Sequence, residues 1–221
     1  MSLPRPVRPR HAASLVLVRR SSRGPEILMG RRPPKAVFPE AYVFPGGRLD
    51  AADTNVAPST QLAPAVMEEL RAHGACTASL ARALANAAIR ETFEETGLLV
   101  AAPGDPGTEH GPWAAFRAKG IAPAHDRLRF LGRAITPASA PVRFHARFFV
   151  ADGEQVEGTI VGNGELSDIR WYTLEEARRL PAIDVTQFVL TEIAAHERGQ
   201  TRTAPFFRYR RNRVLAKAAD A

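Results

Sequence analysis

The stretch that most constrains this chain is residues 90–98, which reads Arg-Glu-Thr-Phe-Glu-Glu-Thr-Gly-Leu. Glu91, Glu94 and Glu95 stand at i, i+3 and i+4, so on a helix they share one face. Carboxylates this close repel one another and raise one another's pKa, so a hard divalent cation or an arginine has to compensate them. The ordinary interpretation of such a run is the solvated face of a helix. Its neighbours favour a magnesium or manganese site instead.

Those neighbours are loop and strand signals on both sides of the predicted helix. Upstream, residues 43–48 form an apolar run broken by Pro45 and the pair Gly46-Gly47, which predicts a tight loop whose backbone can approach a ligand. Downstream, Gly97 is a typical helix terminator, and residues 98–100 predict the start of an apolar strand. A carboxylate helix between a Gly-rich loop and a strand indicates a site rather than an ordinary surface.

These residues resemble the signature of the Nudix hydrolases, G-x5-E-x7-R-E-U-x-E-E-x-G-U, where U is apolar. Gly47 matches its opening, and Arg90-Glu91, Glu94-Glu95 and Gly97-Leu98 match its closing half. The chain departs from the signature in three ways. Asp53 stands in place of Glu, Thr92 stands in place of an apolar residue, and residues 54–89 form a 36-residue segment where the signature has seven residues.

Such an insertion also resembles the subgroup that includes peroxisomal coenzyme A diphosphatases, and the likeness extends over about residues 12–180. The resemblance implies an α/β fold, a Nudix α/β/α sandwich around a mixed sheet, with a helical insertion between the Gly-rich loop and the catalytic helix. We expect a tail over residues 1–10, one domain over 11–205 that contains the insertion at about 54–89, and an Arg-rich tail over 206–221.

The resemblance also implies the roles of individual residues and a Mg²⁺ or Mn²⁺ cofactor. Glu91 and Glu95 would be the principal metal ligands, with the Gly47 carbonyl as a ligand from the loop and Glu94 as a further ligand or a base. Arg90 would orient the glutamates through charge-assisted hydrogen bonds. Glu165 follows a Gly-led loop and is either an additional ligand or base, or an exposed loop glutamate.

The implied reaction is hydrolysis of a nucleoside diphosphate linked to another group, with coenzyme A or an acyl-coenzyme A as the first choice of substrate. Arg31 and Arg32 could grip its 3′-phosphate, or could be a charged strand end, and Gly46 would contribute to substrate binding. The alternatives are a Nudix pyrophosphatase for ADP-ribose, NADH or a nucleotide, and a non-catalytic nucleotide-binding module. For His145 we expect a packed or rim histidine, and for Asp53 a turn residue rather than a helper of the site.

Composition limits the remaining possibilities. A chain of 221 residues with 45% hydrophobic content can bury the core of one domain. The net charge of +7, carried mostly by arginine, favours a small polyanionic partner, and no nucleic-acid motif accompanies it. No apolar run has membrane-spanning length and no signal peptide is recognisable, so we expect no membrane partner and a cytoplasmic location. Cys76 is the single cysteine and predicts a buried or incidental thiol.

Periodicity and end signals predict the elements. Helices are expected over residues 63–73, 77–96, 113–118, 174–180 and 184–198, and strands over 13–18, 26–30, 42–44, 129–135 and 143–151. Alternation over residues 143–151 predicts a half-buried strand, and Thr173 with Glu176 three positions later predicts a capping box at the start of the helix over 174–180. The helix over 77–96 would extend the glutamate helix backwards through the insertion. Its Leu80 and Leu84 side suggests a homodimer as one hypothesis, and the residues after Pro205 suggest a solvated extension.

Overall fold

The computed structural model describes residues 7–36, 38–200, 203–210 and 213–217. The strands and helices of this part follow in chain order: β1 Arg10–Ser21, β2 Gly24–Arg31, β3 Tyr42–Val43, β4 Gly46–Arg48, α1 Pro64–Ala72, α2 Ala78–Thr96, β5 Ala101–Pro103, α3 Trp113–Ala118, β6 Ile121–Pro123, β7 Arg129–Ile135, β8 Phe144–Asp152, β9 Ser167–Thr173, α4 Leu174–Arg179, α5 Asp184–Glu197, β10 Phe206–Arg210 and β11 Arg213–Lys217.

Nine of the described strands form one mixed sheet in the order β11-β10-β7-β8-β1-β2-β3, with β4 also paired to β1 and β9 to β2. The pairs β1/β8 and β7/β10 are parallel, whereas β1/β2, β1/β4 and β7/β8 are antiparallel. Strands β5 and β6 form a separate hairpin. The predicted mixed sheet is therefore confirmed.

Helices cover both faces of this sheet. Successive side chains of a strand point to opposite faces, so the buried strands present apolar side chains to the helices on each side. On β1, Leu15 and Leu17 pack with Leu84 and Ile89 of α2, while Val16 on the other face packs with the core under α4 and α5. The fold is thus an α/β/α sandwich, as predicted. No helix in the described ranges is both long and apolar enough to cross a membrane.

Helix α2 combines the insertion and the glutamate segment in 19 residues, as the sequence predicted. It begins after Thr77, whose hydroxyl accepts a hydrogen bond from the amide of Leu80, and it ends at Gly97 in the left-handed conformation with φ 75°. Thr77 satisfies an amide that has no partner within the helix, and glycine adopts positive φ without a Cβ clash. Both ends of α2 are therefore fixed locally.

Several other elements confirm the sequence interpretation. The hairpin β1/β2, helix α3 and strand β7 lie where the patterns placed them. Thr173 and Glu176 form the reciprocal capping box expected at the start of α4. Cys76 is buried, as expected.

Other expectations were wrong because tertiary packing decides them. Gly46 and Gly47 open strand β4 rather than a tight turn, since their backbone pairs with β1. The apolar run after Gly97 becomes a strand only at Ala101. Strand β8 was predicted to be half-buried, yet residues 147–151 are all buried because helices cover both of its faces.

The insertion and the carboxyl-terminal segment also differ from expectation. Leu84 is fully buried inside this chain and Leu80 packs against the same core, which removes the basis of the predicted homodimer. Phe206–Arg210 pairs with β7, so this part is no solvated extension. Parts of the predicted tails, residues 1–6, 211–212 and 218–221, lie outside the described residues, and the proposed domain boundaries stay a prediction.

Candidate active site

The candidate active site begins with the last two turns of α2, which carry the three glutamates. Ile89, on the side of the helix opposite the glutamates, is fully buried in the core against the sheet and anchors the helix there. Thr92, unusual at an apolar position, is also fully buried, and its hydroxyl donates to the carbonyl of Ala88 at 2.8 Å. This hydrogen bond satisfies the hydroxyl within the helix, so the threonine fits where the Nudix signature has an apolar residue.

Arg90 is held by a buried aspartate from outside the helix. Its Nε donates to Asp53 Oδ1 at 2.8 Å and its Nη2 to Asp53 Oδ2 at 3.1 Å, and Asp53 is fully buried. Although burial lowers it, the bonds to Asp53 raise the pKa of Arg90 above its usual value. The expectation that Asp53 is a simple turn residue was wrong, because it forms a two-pronged ion pair that fixes the guanidinium.

The remaining donors of Arg90 face the glutamates and the Gly-rich strand. Nη1 lies 2.6 Å from Glu94 Oε2 and 3.0 Å from Glu91 Oε1, and Nη2 donates to the carbonyl of Arg48 at 2.9 Å. One guanidinium therefore links the loop strand β4, Asp53 and two of the three glutamates. The orienting role of Arg90 stays a prediction, and these are the contacts through which Arg90 would exert it.

The pair Gly46-Gly47 brings the backbone of β4 against the carboxylates. The amide of Gly46 donates to Glu95 Oε2 at 2.9 Å. A Cβ at Gly47 would overlap the Glu91 carboxylate, and a Cβ at Gly46 would overlap Ser14 and the carbonyl of Ala13. Only glycine therefore permits this close approach.

Negative charge accumulates at the buried end of this arrangement. Burial raises the pKa of Glu95 to about 8, with Glu91 and Glu165 adding to the rise while the Gly46 amide opposes it. Burial, partly offset by Arg90, also raises the pKa of Glu91. Glu165 lies on an exposed loop and acts on both carboxylates through space. Two partly buried acids thus face a third, which is an unfavourable arrangement without a compensating cation.

The two arginines of the predicted phosphate grip occupy different situations. Arg31 Nη1 lies 2.7 Å from Glu40 Oε2, while its Nε is buried with no partner among the described residues. Arg32 lowers the pKa of Glu95 through space, so it lies on the glutamate side.

Two tyrosines share one aspartate near these arginines. Tyr42 donates to Asp168 at 2.5 Å and Tyr172 donates to the same carboxylate at 2.8 Å. Sequence reasoning missed this Tyr-Asp-Tyr group, since Tyr42 and Asp168 are 126 residues apart in the chain.

The donor set fits a hard divalent cation in its chemistry, since carboxylate and carbonyl oxygens are the ligands that Mg²⁺ and Mn²⁺ take. Among the described residues, however, no three His, Cys, Asp or Glu side chains are already arranged as a metal-ligand group. The reason is visible in the contacts: Glu91 and Glu94 face Arg90, and Glu95 faces the Gly46 amide. A cation at Glu91 and Glu95 would favour their charged forms, which burial first and the neighbouring carboxylates second disfavour.

The comparisons with known proteins decide the family. The sequence pattern of the NUDIX domain matches residues 81–191, half of the chain. The chain belongs to the NUDIX family. The match begins within α2, so Gly47 and Asp53 lie before it, on the far side of the insertion. No curated protein sequence matches the chain.

Solved structures agree with this family. A NUDIX hydrolase from Alicyclobacillus acidocaldarius shares 28% identity at a TM-score of 0.66, over 86% of this chain and 92% of that one. The chain is thus a NUDIX hydrolase, a pyrophosphatase, and NUDIX hydrolases generally use divalent metal ions. A MutT NUDIX hydrolase from Burkholderia pseudomallei has 17% identity and a TM-score of 0.50, over 85% of this chain and 99% of that one.

A third structure shows the same fold with a ligand. The NUDIX domain of Shewanella oneidensis NrtR, complexed with ADP ribose, has 13% identity and a TM-score of 0.50, over 86% of this chain and 89% of that one. At this identity the likeness concerns the fold alone. The coenzyme A diphosphatase subgroup has no support in these comparisons.

Proposed function

We propose that this NUDIX hydrolase cleaves a nucleoside diphosphate linked to another group, in a metal-dependent reaction. The observation that carries the proposal is the meeting of Glu91, Glu94 and Glu95 with the Gly46-Gly47 backbone around the single guanidinium of Arg90. These elements come from opposite sides of a 36-residue insertion and still converge.

In this proposal, each side chain has a distinct task. Glu91, Glu95 and the Gly47 carbonyl hold the cation, with Glu94 as a further ligand or the base. Bound divalent cations supply charge neutralisation of the diphosphate and a lowered pKa for the attacking water. Arg90 contacts the carboxylates of both Glu91 and Glu94 and holds them in position relative to each other.

The proton of the attacking water needs an acceptor that solvent can reach. The side chain of Glu94 is 33% exposed, compared with 14% for that of Glu91, and the loop residue Glu165 is exposed. We therefore propose Glu94 or Glu165 as the base, and the two are distinguished by Glu94→Gln and Glu165→Gln. The base variant should lose turnover by about 10²- to 10⁴-fold while keeping its affinity for Mn²⁺.

For the substrate, we propose coenzyme A or an acyl-coenzyme A, gripped by Arg31, Arg32 and the backbone at Gly46. The support is limited to the arginines: Arg31 offers a buried Nε that has no partner among the described residues, and Arg32 lies on the glutamate side. Arg31 is partly neutralised by Glu40, which weakens a 3′-phosphate grip. ADP-ribose, NADH and other nucleotides therefore remain rival substrates.

The test is a substrate panel. The purified protein is incubated with coenzyme A, a medium-chain acyl-coenzyme A, ADP-ribose and NADH, with Mg²⁺, with Mn²⁺ and with EDTA, and products are identified by mass spectrometry. Metal-dependent release of adenosine 3′,5′-bisphosphate supports the coenzyme A proposal. Cleavage of the other compounds alone removes that substrate and keeps the reaction class, and no cleavage of any compound favours a nucleotide-binding module.

Matched variants tie the reaction to the site. Glu94→Gln and Glu95→Gln should abolish metal-dependent turnover and leave the far-ultraviolet circular dichroism spectrum unchanged. Glu109→Gln, on an exposed residue of the loop before α3, is the control and should keep full activity. Retained activity in both site variants would overturn the assignment of the glutamates.

A further inference from the structure

A second cluster of functional side chains lies away from the glutamates, on the same face of the sheet. It consists of His11 on β1, Arg133 on β7, His145 and Arg147 on β8, and Arg208 on β10, and we call it the basic cluster. His11 lies opposite His145, and Arg133 lies opposite Arg147. Residues opposite each other on neighbouring strands share a face of the sheet, so these side chains converge.

Arg147 forms the floor of the basic cluster and has only neutral partners. It is fully buried, and it donates to the carbonyls of Gly74 at 2.9 Å, Ala75 at 3.1 Å and His145 at 2.8 Å. Its Nη1 also lies 2.9 Å from His11 Nδ1. These four bonds engage all three guanidinium nitrogens, but none of them neutralises the charge. A buried charge without a counter-ion is strongly unfavourable.

Arg133 and Arg208 add two more uncompensated guanidinium groups. Arg133 stacks 3.9 Å from the Phe206 ring centroid and reaches His145 Nε2 at 3.3 Å. The Nε atoms of Arg133 and Arg208 are buried and have no hydrogen-bond partner among the described residues. None of the ion pairs in the described part of the chain includes an arginine of the basic cluster.

The titratable neighbours do not supply the missing negative charge. Burial lowers the pKa of His145 to about 3, with Arg147 and Arg133 lowering it further, so this histidine is neutral. Burial and Arg147 also lower the pKa of His11. Cys76 lies near Arg147 and Arg133, and burial raises the pKa of its thiol, which keeps it protonated. An anion that enters from solvent would therefore meet the guanidinium groups of Arg133, Arg147 and Arg208. No described ion pair places a carboxylate beside them.

We propose that the basic cluster is a binding site for a phosphate dianion, separate from the catalytic glutamates. A guanidinium group binds two phosphate oxygens at once, and no described ion pair engages the guanidinium groups of Arg133 and Arg208. Arg133, His145 and Arg208 are half-buried, so a ligand can reach them from solvent.

The distance from the glutamates makes this a second site. Gly74 and Ala75, which bind Arg147, precede the start of α2, and the glutamates lie at its other end. Thr77 and Glu91 are separated by roughly 20 Å along the helix axis, with about 1.5 Å of rise per residue. In the sheet the two sites are closer, because Arg147 and Gly47 both lie opposite Ala13 on the strands that flank β1, about 10 Å apart. The two phosphates of one diphosphate do not reach across this distance, so the ligand is a further phosphate group, either free phosphate or a phosphate monoester.

The proposal is tested by calorimetric titration of inorganic phosphate into the full-length protein, with EDTA present and ionic strength held constant. We expect saturable binding at one site. Arg133→Gln and Arg208→Gln should each weaken it by about tenfold or more, since each removes charge-assisted hydrogen bonds. Arg178→Gln removes an equal charge from an exposed position on α4, on the opposite face of the sheet, and should leave the affinity unchanged.

Further arms separate the possible ligands and sites. Adenosine 5′-monophosphate, titrated in the same way, distinguishes the sources: binding that Arg133→Gln weakens shows that esters enter, and no binding restricts the site to free phosphate. Glu95→Gln should bind phosphate like the parent protein, whether or not the chain hydrolyses any compound. Absence of saturable phosphate binding, or equal binding by Arg133→Gln, Arg208→Gln and the parent, would overturn the proposal.

Discussion

The substitution Asp53→Asn tests whether the ion pair with Arg90 positions the glutamates. Asp53 is fully buried and accepts two hydrogen bonds from Arg90, and its Oδ2 also accepts the amide of Asp50 at 2.9 Å. Removing one partner of a buried ion pair typically costs 3–5 kcal/mol. Asparagine keeps the shape and one oxygen acceptor, so we expect a loss of about 3 kcal/mol in the free energy of unfolding.

The same substitution should weaken the site as well as the fold. Without Asp53, the Arg90 guanidinium is drawn to Glu91 and Glu94, which it already contacts, and it competes with a cation for their oxygens. Loss of a residue that orients metal ligands typically costs 10- to 100-fold in metal affinity or activity. We expect such a loss in Mn²⁺ affinity and in kcat, with a smaller change in KM.

Urea unfolding measures the first effect, and Mn²⁺ calorimetry with steady-state kinetics measures the second. Asp50→Asn is the control, because Asp50 is an exposed aspartate of the same turn whose carboxylate accepts only local bonds. It should change the unfolding free energy by less than about 0.5 kcal/mol. If Asp53→Asn kept the parent's Mn²⁺ affinity and kcat while losing stability, the ion pair would be structural only and the positioning argument would be refuted.

Three further substitutions test other contacts. Gly47→Ala places a methyl group against the Glu91 carboxylate and should reduce Mn²⁺ affinity, measured by calorimetry. Gly120→Ala strains the backbone at a φ of 65° but meets no atom within 4 Å, so as a control it should leave the Mn²⁺ affinity unchanged. Leu84→Ala should cost about 2–5 kcal/mol in urea unfolding because Leu84 is fully buried, and a mild loss comparable to a surface change would contradict its core position. His125 is fully buried and its pKa is lowered by burial to about 4, so the unfolded chain binds the extra proton and stability falls as pH drops from 6.5 to 4. The difference corresponds to about 3 kcal/mol over this window, and His125→Gln should flatten that part of the pH dependence of urea unfolding.

The sequence predicted the elements whose ends carry local signals. The span of α2 follows from Thr77 and Gly97, and that of α4 from the capping box of Thr173 and Glu176, because each signal acts within four residues. The burial of β8 could not be predicted in this way. Its alternating pattern is typical of a half-buried strand, but helices from distant parts of the chain cover both faces.

For the site, the sequence predicted that the glutamates and Arg90 lie together, but not that Asp53 is the partner of Arg90. The glutamates and Arg90 are close in the chain, so helical spacing brings them together. The sequence predicts a turn residue at Asp53, because 36 residues separate it from Arg90. The Tyr42-Asp168-Tyr172 group was missed for the same reason, since it depends on how β2, β3 and β9 pair. The basic cluster likewise exists only once β1, β7, β8 and β10 lie side by side.

The insertion leaves the two halves of the signature in contact because of where its ends lie. The chain leaves β4 through the short 3-10 helix Ala52–Asn55, where Asp53 meets Arg90, and the carbonyls of Asp53 and Val56 accept the Asn86 amide at 2.9 and 3.2 Å. The inserted residues continue through α1 and return along α2, so all of them lie between Asp53 and Arg90. A loop that departs from and returns to one buried contact can lengthen at small entropic cost, about 0.6 kcal/mol per doubling. The pair Asp53-Arg90 is that contact, which explains how a motif interrupted in sequence remains continuous in space.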